Sequence, residues 1–151
     1  MRKSILLIFN VVIALSCTQK SAPKEYSFKS LRFTAFNLAD GYQLIYKNDD
    51  TLFLHQTFPS NFLAYCILDD SEKEIILDNL IDAGINSSNK FNMLDTGDGQ
   101  SYTFHLEHNH KVDSVTIHEG KGPKKLYDFA DDLIELKNEN TFIKIKYHPF
   151  E

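Results

Sequence analysis

The feature that most constrains the fold of this chain is an alternation of apolar and polar residues that recurs along the sequence. Successive side chains of a β-strand point to opposite faces, so a period of two predicts a strand with one buried face. The alternating segments are residues 27–36, 42–47, 51–55, 102–106, 115–117 and 141–147. Residues 62–68 form a continuous apolar run between polar neighbours and predict one more strand. Asn48-Asp49-Asp50 separates the second and third segments, which predicts a hairpin.

Two segments later in the chain are predicted to pair as a second hairpin. Their apolar residues share one face only if Phe104 lies opposite Val115 and Tyr102 lies opposite Ile117. This register puts the turn at Asn109-His110. The short connection agrees with an antiparallel pair of neighbouring strands.

Two helices are predicted by apolar residues at helical spacing. Ser71 followed by Glu74 fits a capping box at the start of the first helix, and Gly84 fits its C-terminal stop. The second helix is expected to have Pro123 in its first turn and to end near Asn138. The apolar stripes that would face the core are Ile76, Leu77, Leu80 and Ile81 in the first helix, and Leu126, Phe129, Ala130, Leu133 and Leu136 in the second.

The order of these elements predicts an α+β fold, with an antiparallel β-sheet and two helices packed on one face. Residues 26–151 have the length of one domain, so no second domain is expected. Cys66 is the only cysteine after Cys17, which excludes a disulfide within the domain. Because Cys66 lies inside the apolar run without a cationic neighbour, it is interpreted as a buried, unreactive thiol.

The N-terminus has the composition of a secretory signal. Arg2-Lys3 precedes an apolar run at 5–15, which is too short to span a bilayer as a helix because a span takes about 20 residues. Residues 13–17, Ile-Ala-Leu-Ser-Cys, resemble a bacterial lipobox, with alanine and leucine in the reverse of the usual order. The resemblance implies cleavage after Ser16 and acylation of Cys17, which would anchor the chain to a membrane.

We therefore predict a lipoprotein signal peptide at 1–16, a polar tether at 17–25 and a single α+β domain at 26–151. The tether reaches at most about 30 Å at ~3.3 Å per residue, so the domain would work close to its membrane. Removing the signal peptide changes the formal charge from −5 to −7, because it removes two basic residues and no acidic one. Such an acidic domain suits neither nucleic acid nor anionic lipid. Thr18, in place of an aspartate after the cysteine, favours the outer membrane, with the domain facing the periplasm.

The loop around Asp95 carries the segment most like a catalytic motif. Residues 91–97 resemble the hydrophobic-hydrophobic-Asp-Thr-Gly signature of aspartic proteases, whose chemistry needs two aspartates that share one proton. The retroviral type resembles an all-β chain with a second motif farther along, where this chain has the predicted Pro123 helix. A turn that continues into Asp98-Gly99 has the same sequence pattern. The turn is the main prediction, and an aspartyl-type envelope hydrolase is the alternative.

Asp95 and Asp98 are also candidate metal ligands, because carboxylate oxygens suit hard cations such as calcium. The loop departs from an EF-hand, whose third, fifth and sixth positions would here be Gly97, Gly99 and Gln100. A metal-dependent envelope hydrolase is therefore a second version of the alternative function. The main prediction assigns no metal to this loop.

The imidazoles of His105, His108 and His110 form another candidate metal set, because neutral imidazole is a common zinc ligand. In the predicted register His105 lies on the solvent face opposite Ser114, whereas the other two lie at the turn beside Lys111, whose charge opposes a cation. A solvated hairpin tip is therefore predicted. Neither a catalytic residue nor a cofactor is assigned.

The layout of residues 30–136 resembles a family of small uncharacterised lipoproteins of Bacteroidota. The matching pieces are Arg32, Tyr42-Gln43-Leu44-Ile45-Tyr46, Asn48-Asp49-Asp50-Thr51, Asp95-Thr96-Gly97 and Pro123. Many members carry paired cysteines and a proline before the first hairpin, and residues 36–41 of this chain contain neither. The resemblance implies the fold and carries no established activity.

These observations predict a membrane-anchored periplasmic lipoprotein whose domain is a non-enzymatic binding or interaction module. Its expected partners are the membrane, through the lipid anchor at Cys17, and a protein of the cell envelope. Nucleic acid is not an expected partner, because the domain is acidic. The alternative is an envelope hydrolase that uses the Asp95 loop.

Overall fold

The structure is a computed structural model that describes residues 27–85, 99–118 and 121–146. Cys17, Asp95 and Asp98 lie outside these ranges, as do the predicted signal peptide and tether. Within the ranges, no helix has both the length and the apolar character that crossing a membrane requires.

The described residues form one antiparallel sheet and two helices. The strands are β1 Ser30–Phe36, β2 Gly41–Tyr46, β3 Thr51–Phe58, β4 Phe62–Ile67, β5 Ser101–His108, β6 Lys111–His118 and β7 Ile143–Ile145, and the helices are α1 Asp70–Ala83 and α2 Lys124–Glu139. The strands are hydrogen-bonded in the order β6-β5-β1-β2-β3-β4-β7, and every neighbouring pair is antiparallel. This arrangement confirms the predicted α+β fold.

The β5–β6 hairpin has the register that the sequence predicted. Phe104 pairs with Val115, and Tyr102 pairs with Ile117. The turn lies at Asn109 and His110, whose φ angles of 46° and 61° are left-handed. Asparagine adopts this conformation more readily than most residues, which suits the first of the two positions. Of the strand predicted at 141–147, residue 147 lies outside the described ranges, and β7 covers residues 143–145 of the remaining six.

Both helices pack on one face of the sheet, as predicted, and aromatic rings form the centre of that contact. Phe33, in β1, is fully buried, and its ring centroid lies 5.1 Å from that of Phe104. Phe104 in turn stacks on Phe129 of α2, with 5.4 Å between ring centroids and 18° between ring planes. Cys66 belongs to the same buried cluster, as do all five predicted stripe residues of α2. In α1, Ile76 and Leu80 are buried, and Leu77 packs against the cluster.

The start of α1 corrects one prediction, because the N-cap is Asp69 and not Ser71. The Asp69 carboxylate accepts the amide of Glu72 at 2.9 Å, and the Glu72 carboxylate accepts the amide of Asp69 at 2.7 Å, which completes a capping box. The Ser71 hydroxyl supports the cap by donating to Asp69 at 2.6 Å. Both Asp-x-x-Glu and Ser-x-x-Glu fit the sequence pattern. The bond from the Leu68 amide to the Asp50 carbonyl, 2.8 Å, fixes the chain just before Asp69.

The ends of the helices follow the predictions with small differences. Gly84 ends α1 in the left-handed conformation, with φ of 59°, as predicted. Pro123 lies immediately before α2 in an extended conformation and not in its first turn, because the helix starts at Lys124. At the other end of α2, the side-chain amide of Asn140 donates to Glu72 at 2.6 Å and thereby joins the two helices.

The cap of α1 can be tested with two substitutions. We expect Asp69→Ala to lower the urea midpoint more than Ser71→Ala, because only the first removes the acceptor of the Glu72 amide. Hydrogen bonds from Ser71 and the Glu72 amide lower the pKa of Asp69. The stabilisation is therefore complete above the ordinary Asp pKa of about 4 and is lost as pH falls through the lowered value. Equal midpoints for the two variants at neutral pH would contradict this assignment.

Candidate functional site

The two faces of the sheet have different surroundings. Both helices cover one face, and no helix or strand of residues 27–85, 99–118 and 121–146 lies on the other. We call this second side the open face. Because it is built on paired backbone, its side chains have fixed spacing along and across the strands.

Two complete rows of side chains cross the open face from β6 to β7. The first row is Ser114, His105, Arg32, Ile45, Phe53, Tyr65 and Ile143. The second row is Thr116, Thr103, Thr34, Gln43, His55, Leu63 and Ile145. Neither row contains Asp, Glu or Lys, although 25% of the whole chain is charged. The outward side of α2, by contrast, carries exposed Lys124, Asp128, Asp131 and Glu135.

The open face is divided into a hydroxyl-rich half and an apolar half. The half on β6, β5 and β1 carries serine and threonine, and the hydroxyls of Thr103 and Thr116 lie 3.0 Å apart. The half on β2, β3, β4 and β7 is mainly aliphatic and aromatic. Four large apolar side chains of this face are more than half exposed: Phe36 at 54%, Ile67 at 61%, Val112 at 57% and Ile143 at 57%.

Arg32 lies where the two halves meet, with His105 on one side and Ile45 on the other. The residue is exposed, and within the described ranges its guanidinium forms no ion pair and no hydrogen bond. Burial lowers the pKa of His105, and the adjacent Arg32 charge lowers it further. His105 is therefore neutral at pH 7, and Arg32 is the only Arg, Lys, Asp or Glu side chain in either row.

The three histidines of the predicted metal set are not brought together. His105 points to the open face, whereas the His108 Nε2 atom lies 2.7 Å from the Asp113 carboxylate, on the side covered by the helices. Asp113 is buried and also pairs with Lys111 at 2.9 Å, so the hairpin tip is less solvated than predicted. His110 is exposed in the turn. Among the described residues, no three His, Cys, Asp or Glu side chains are grouped to hold a metal.

Of the remaining residues that the sequence singled out, the structure describes only Cys66. Cys17, Asp95 and Asp98 lie outside the described residues, so the anchor, the turn and the hydrolase alternative stay predictions. Cys66 is buried, as predicted, and burial raises the pKa of its thiol to about 11. A thiol that stays protonated at neutral pH is a poor nucleophile, which agrees with a structural role.

A cleft of about 460 Å³ lies between the β2–β3 turn and the first turns of α1, lined partly by Tyr46 and Leu77. Across it, the Lys73 ammonium bonds to Asp50 at 2.7 Å and to Asp70 at 2.8 Å. These two carboxylates raise the pKa of Lys73, so its amine stays protonated and is no nucleophile. Burial, more than any neighbouring charge, raises the pKa of Tyr46, which stays a neutral phenol. The ion pairs join the β2–β3 hairpin to α1, so we interpret them as structural contacts.

The contact between Arg32 and His105 can be tested by titration. We expect Arg32→Gln to raise the pKa of His105 but to leave it below the ordinary value of about 6.5, because burial is the larger cause of the shift. The measurement is NMR of the imidazole protons across pH 4 to 9. Lys111→Gln is the matched control and is expected to leave His105 unchanged. An unchanged His105 pKa in Arg32→Gln would show that the two side chains do not interact.

Comparison with models of known protein families gives no match for this chain, and comparison with curated protein sequences gives none either.

Proposed function

We propose that this chain is a lipid-anchored protein of the bacterial cell envelope and that its domain is a non-enzymatic binding module. The open face of the sheet is the proposed binding surface, and its partner is another envelope protein. The observation that carries the proposal is the composition of the two complete rows, which contain no Asp, Glu or Lys.

The composition of the open face is that of an interface core. The buried centre of a protein interface is depleted of Lys, Glu and Asp and enriched in aromatic residues and Arg, which is the pattern formed by Phe53, Tyr65 and Arg32. Exposed apolar side chains such as Ile67 and Ile143 add area whose removal from water favours association. Isolated exposed residues of this kind are ordinary, but here they share one face.

The size of the open face is also sufficient. Seven strands at ~4.8 Å give a width of about 29 Å, and four rows at ~6.6 Å spacing give a height of about 20 Å before side-chain margins are added. The product of these lengths is roughly 580 Å², about 70% of the ~800 Å² that each partner contributes to an interface of standard size. Because the sheet is rigid, its side chains lose little backbone freedom on binding.

The proposed anchor suits a module that works beside a membrane. The described chain begins at the end of the sheet that carries the β5–β6 turn, where the Lys29 amide donates to the Glu107 carbonyl at 2.7 Å. The tether at 17–25 would lead from this end to the lipid on Cys17. The resemblance to Bacteroidota lipoproteins supports the same localisation, with the domain facing the periplasm from the outer membrane.

The binding surface can be tested by photo-crosslinking in cells. We expect a benzophenone amino acid at Tyr65, on the open face, to give a discrete adduct, and the same group at exposed Glu135 of α2 to give none. With the identified partner purified, Ile143→Glu is expected to weaken binding at least tenfold, because a carboxylate would be buried in an apolar contact. Ile75→Glu is the matched control, since Ile75 is 41% exposed on α1. Equal effects of the two substitutions would refute the proposed surface.

The anchor can be tested separately. Mass spectrometry of the membrane-extracted chain is expected to show an N-terminal peptide that begins with an acylated Cys17. Cys17→Ser should move the chain to the soluble fraction, because the acyl chains that hold it are lost. Cys66→Ala serves as the control and should stay with the membrane. An unmodified cysteine in the mature protein would contradict the anchor.

A further inference from the structure

We infer that the partner presents an acidic side chain to Arg32, so that the open face recognises a carboxylate flanked by apolar residues. This inference rests on the proposed function and adds the chemistry of the partner to it. The observation behind it is one exposed guanidinium in the third of seven strands, on a surface whose two complete rows contain no Asp, Glu or Lys.

Because of its position in the sheet, Arg32 would be contacted by any partner that covers the open face. It lies in β1, the third strand of seven, with two strands on one side and four on the other. A partner that contacts both the hydroxyl-rich half and the apolar half must therefore bury the guanidinium. Burial of a charge without a counter-charge is strongly unfavourable, whereas a carboxylate pairs with a guanidinium through two parallel hydrogen bonds.

Within residues 27–85, 99–118 and 121–146, the open face does not supply this counter-charge itself. The nearest acidic residue of the face in the pairing register is Glu107, one row away at the rim. Its carboxylate is already engaged by the Lys29 ammonium at 2.7 Å and the Ser30 hydroxyl at 3.1 Å. Burial and the Arg32 charge lower the pKa of His105, so this imidazole adds no second positive charge at pH 7. A further cation of the face, the Lys47 ammonium, lies over the Phe53 ring at 5.5 Å from its centroid.

The neighbours of Arg32 indicate what surrounds the carboxylate. Ile45, next to Arg32 in the row, is buried at 6% exposure, but Phe53 and Tyr65 beyond it are partly exposed, so the segment that carries the acidic residue should place apolar side chains on that side. On the other side, His105 and Ser114 can exchange hydrogen bonds with a polar backbone or side chain. An acidic residue with apolar or aromatic neighbours meets both requirements.

The experiment is a selection of random peptides displayed on phage against the full acylated chain in phosphatidylethanolamine vesicles. We expect selected peptides to combine Asp or Glu with adjacent apolar residues. Arg32→Gln should weaken their binding at least tenfold, Arg32→Lys should weaken it less, and Lys125→Gln on α2 should leave it unchanged. Added salt should weaken binding to the wild type and have little effect in Arg32→Gln. Circular dichroism reports whether the variants are folded.

The outcomes separate the inference from the function on which it rests. Peptides without acidic residues that bind equally to Arg32→Gln but poorly to Ile143→Glu would overturn the inference and leave the proposed surface intact. Peptides insensitive to both substitutions, or no selected peptides, would overturn both. Self-association of the chain that Arg32→Gln abolishes would identify a second copy as the occupant and would also overturn the inference of a separate acidic partner.

Discussion

The packing of two helices on one side of a seven-stranded sheet is the constraint on which the rest of this structure depends. Aromatic rings make the contact, because Phe104 of β5 stacks on Phe129 of α2 and also meets Phe33 of β1 at a tilted angle. Two helices are each about 10 Å across, so they cover about 20 Å of a sheet that is about 29 Å wide. They suffice for one face only. The other face must then be compatible with water in the free protein, and its mixture of hydroxyl, aromatic and aliphatic side chains meets that condition.

The sequence predicted the strands and the β5–β6 register because alternation directly records which side of a strand is buried. Two features were missed for different reasons. The choice between Asp69 and Ser71 as N-cap depends on the bond from Leu68 to Asp50, which no local pattern contains. The burial of Asp113 was not predicted. Asp113 lies on the same side of β6 as Val115 and Ile117, and a polar residue among the apolar positions of a strand is the sequence signal for such burial.

The absence of Asp, Glu and Lys from the two complete rows of the open face was equally hard to predict. It emerges only when residues of seven strands, separated by up to about a hundred positions in the chain, are placed in one register. In the sequence alone, Arg32 is one basic residue among many, and only its place between His105 and Ile45 gives it a distinct role. For the histidines, the sequence suggested a cluster that the structure does not contain. His105 and His108 are close in sequence, but alternation along β5 places their side chains on opposite faces of the sheet.

The end of the sheet at which the chain enters determines how a tethered domain meets its neighbours. Because β1 starts beside Glu107 and runs away from the tether, the strands of an anchored domain would extend outward from the lipid surface, and the open face would stand side-on to it. Such a face is presented laterally to other proteins of the same membrane. Encounter by diffusion in two dimensions raises the effective concentration of both molecules, so even a modest affinity in solution would be enough for assembly.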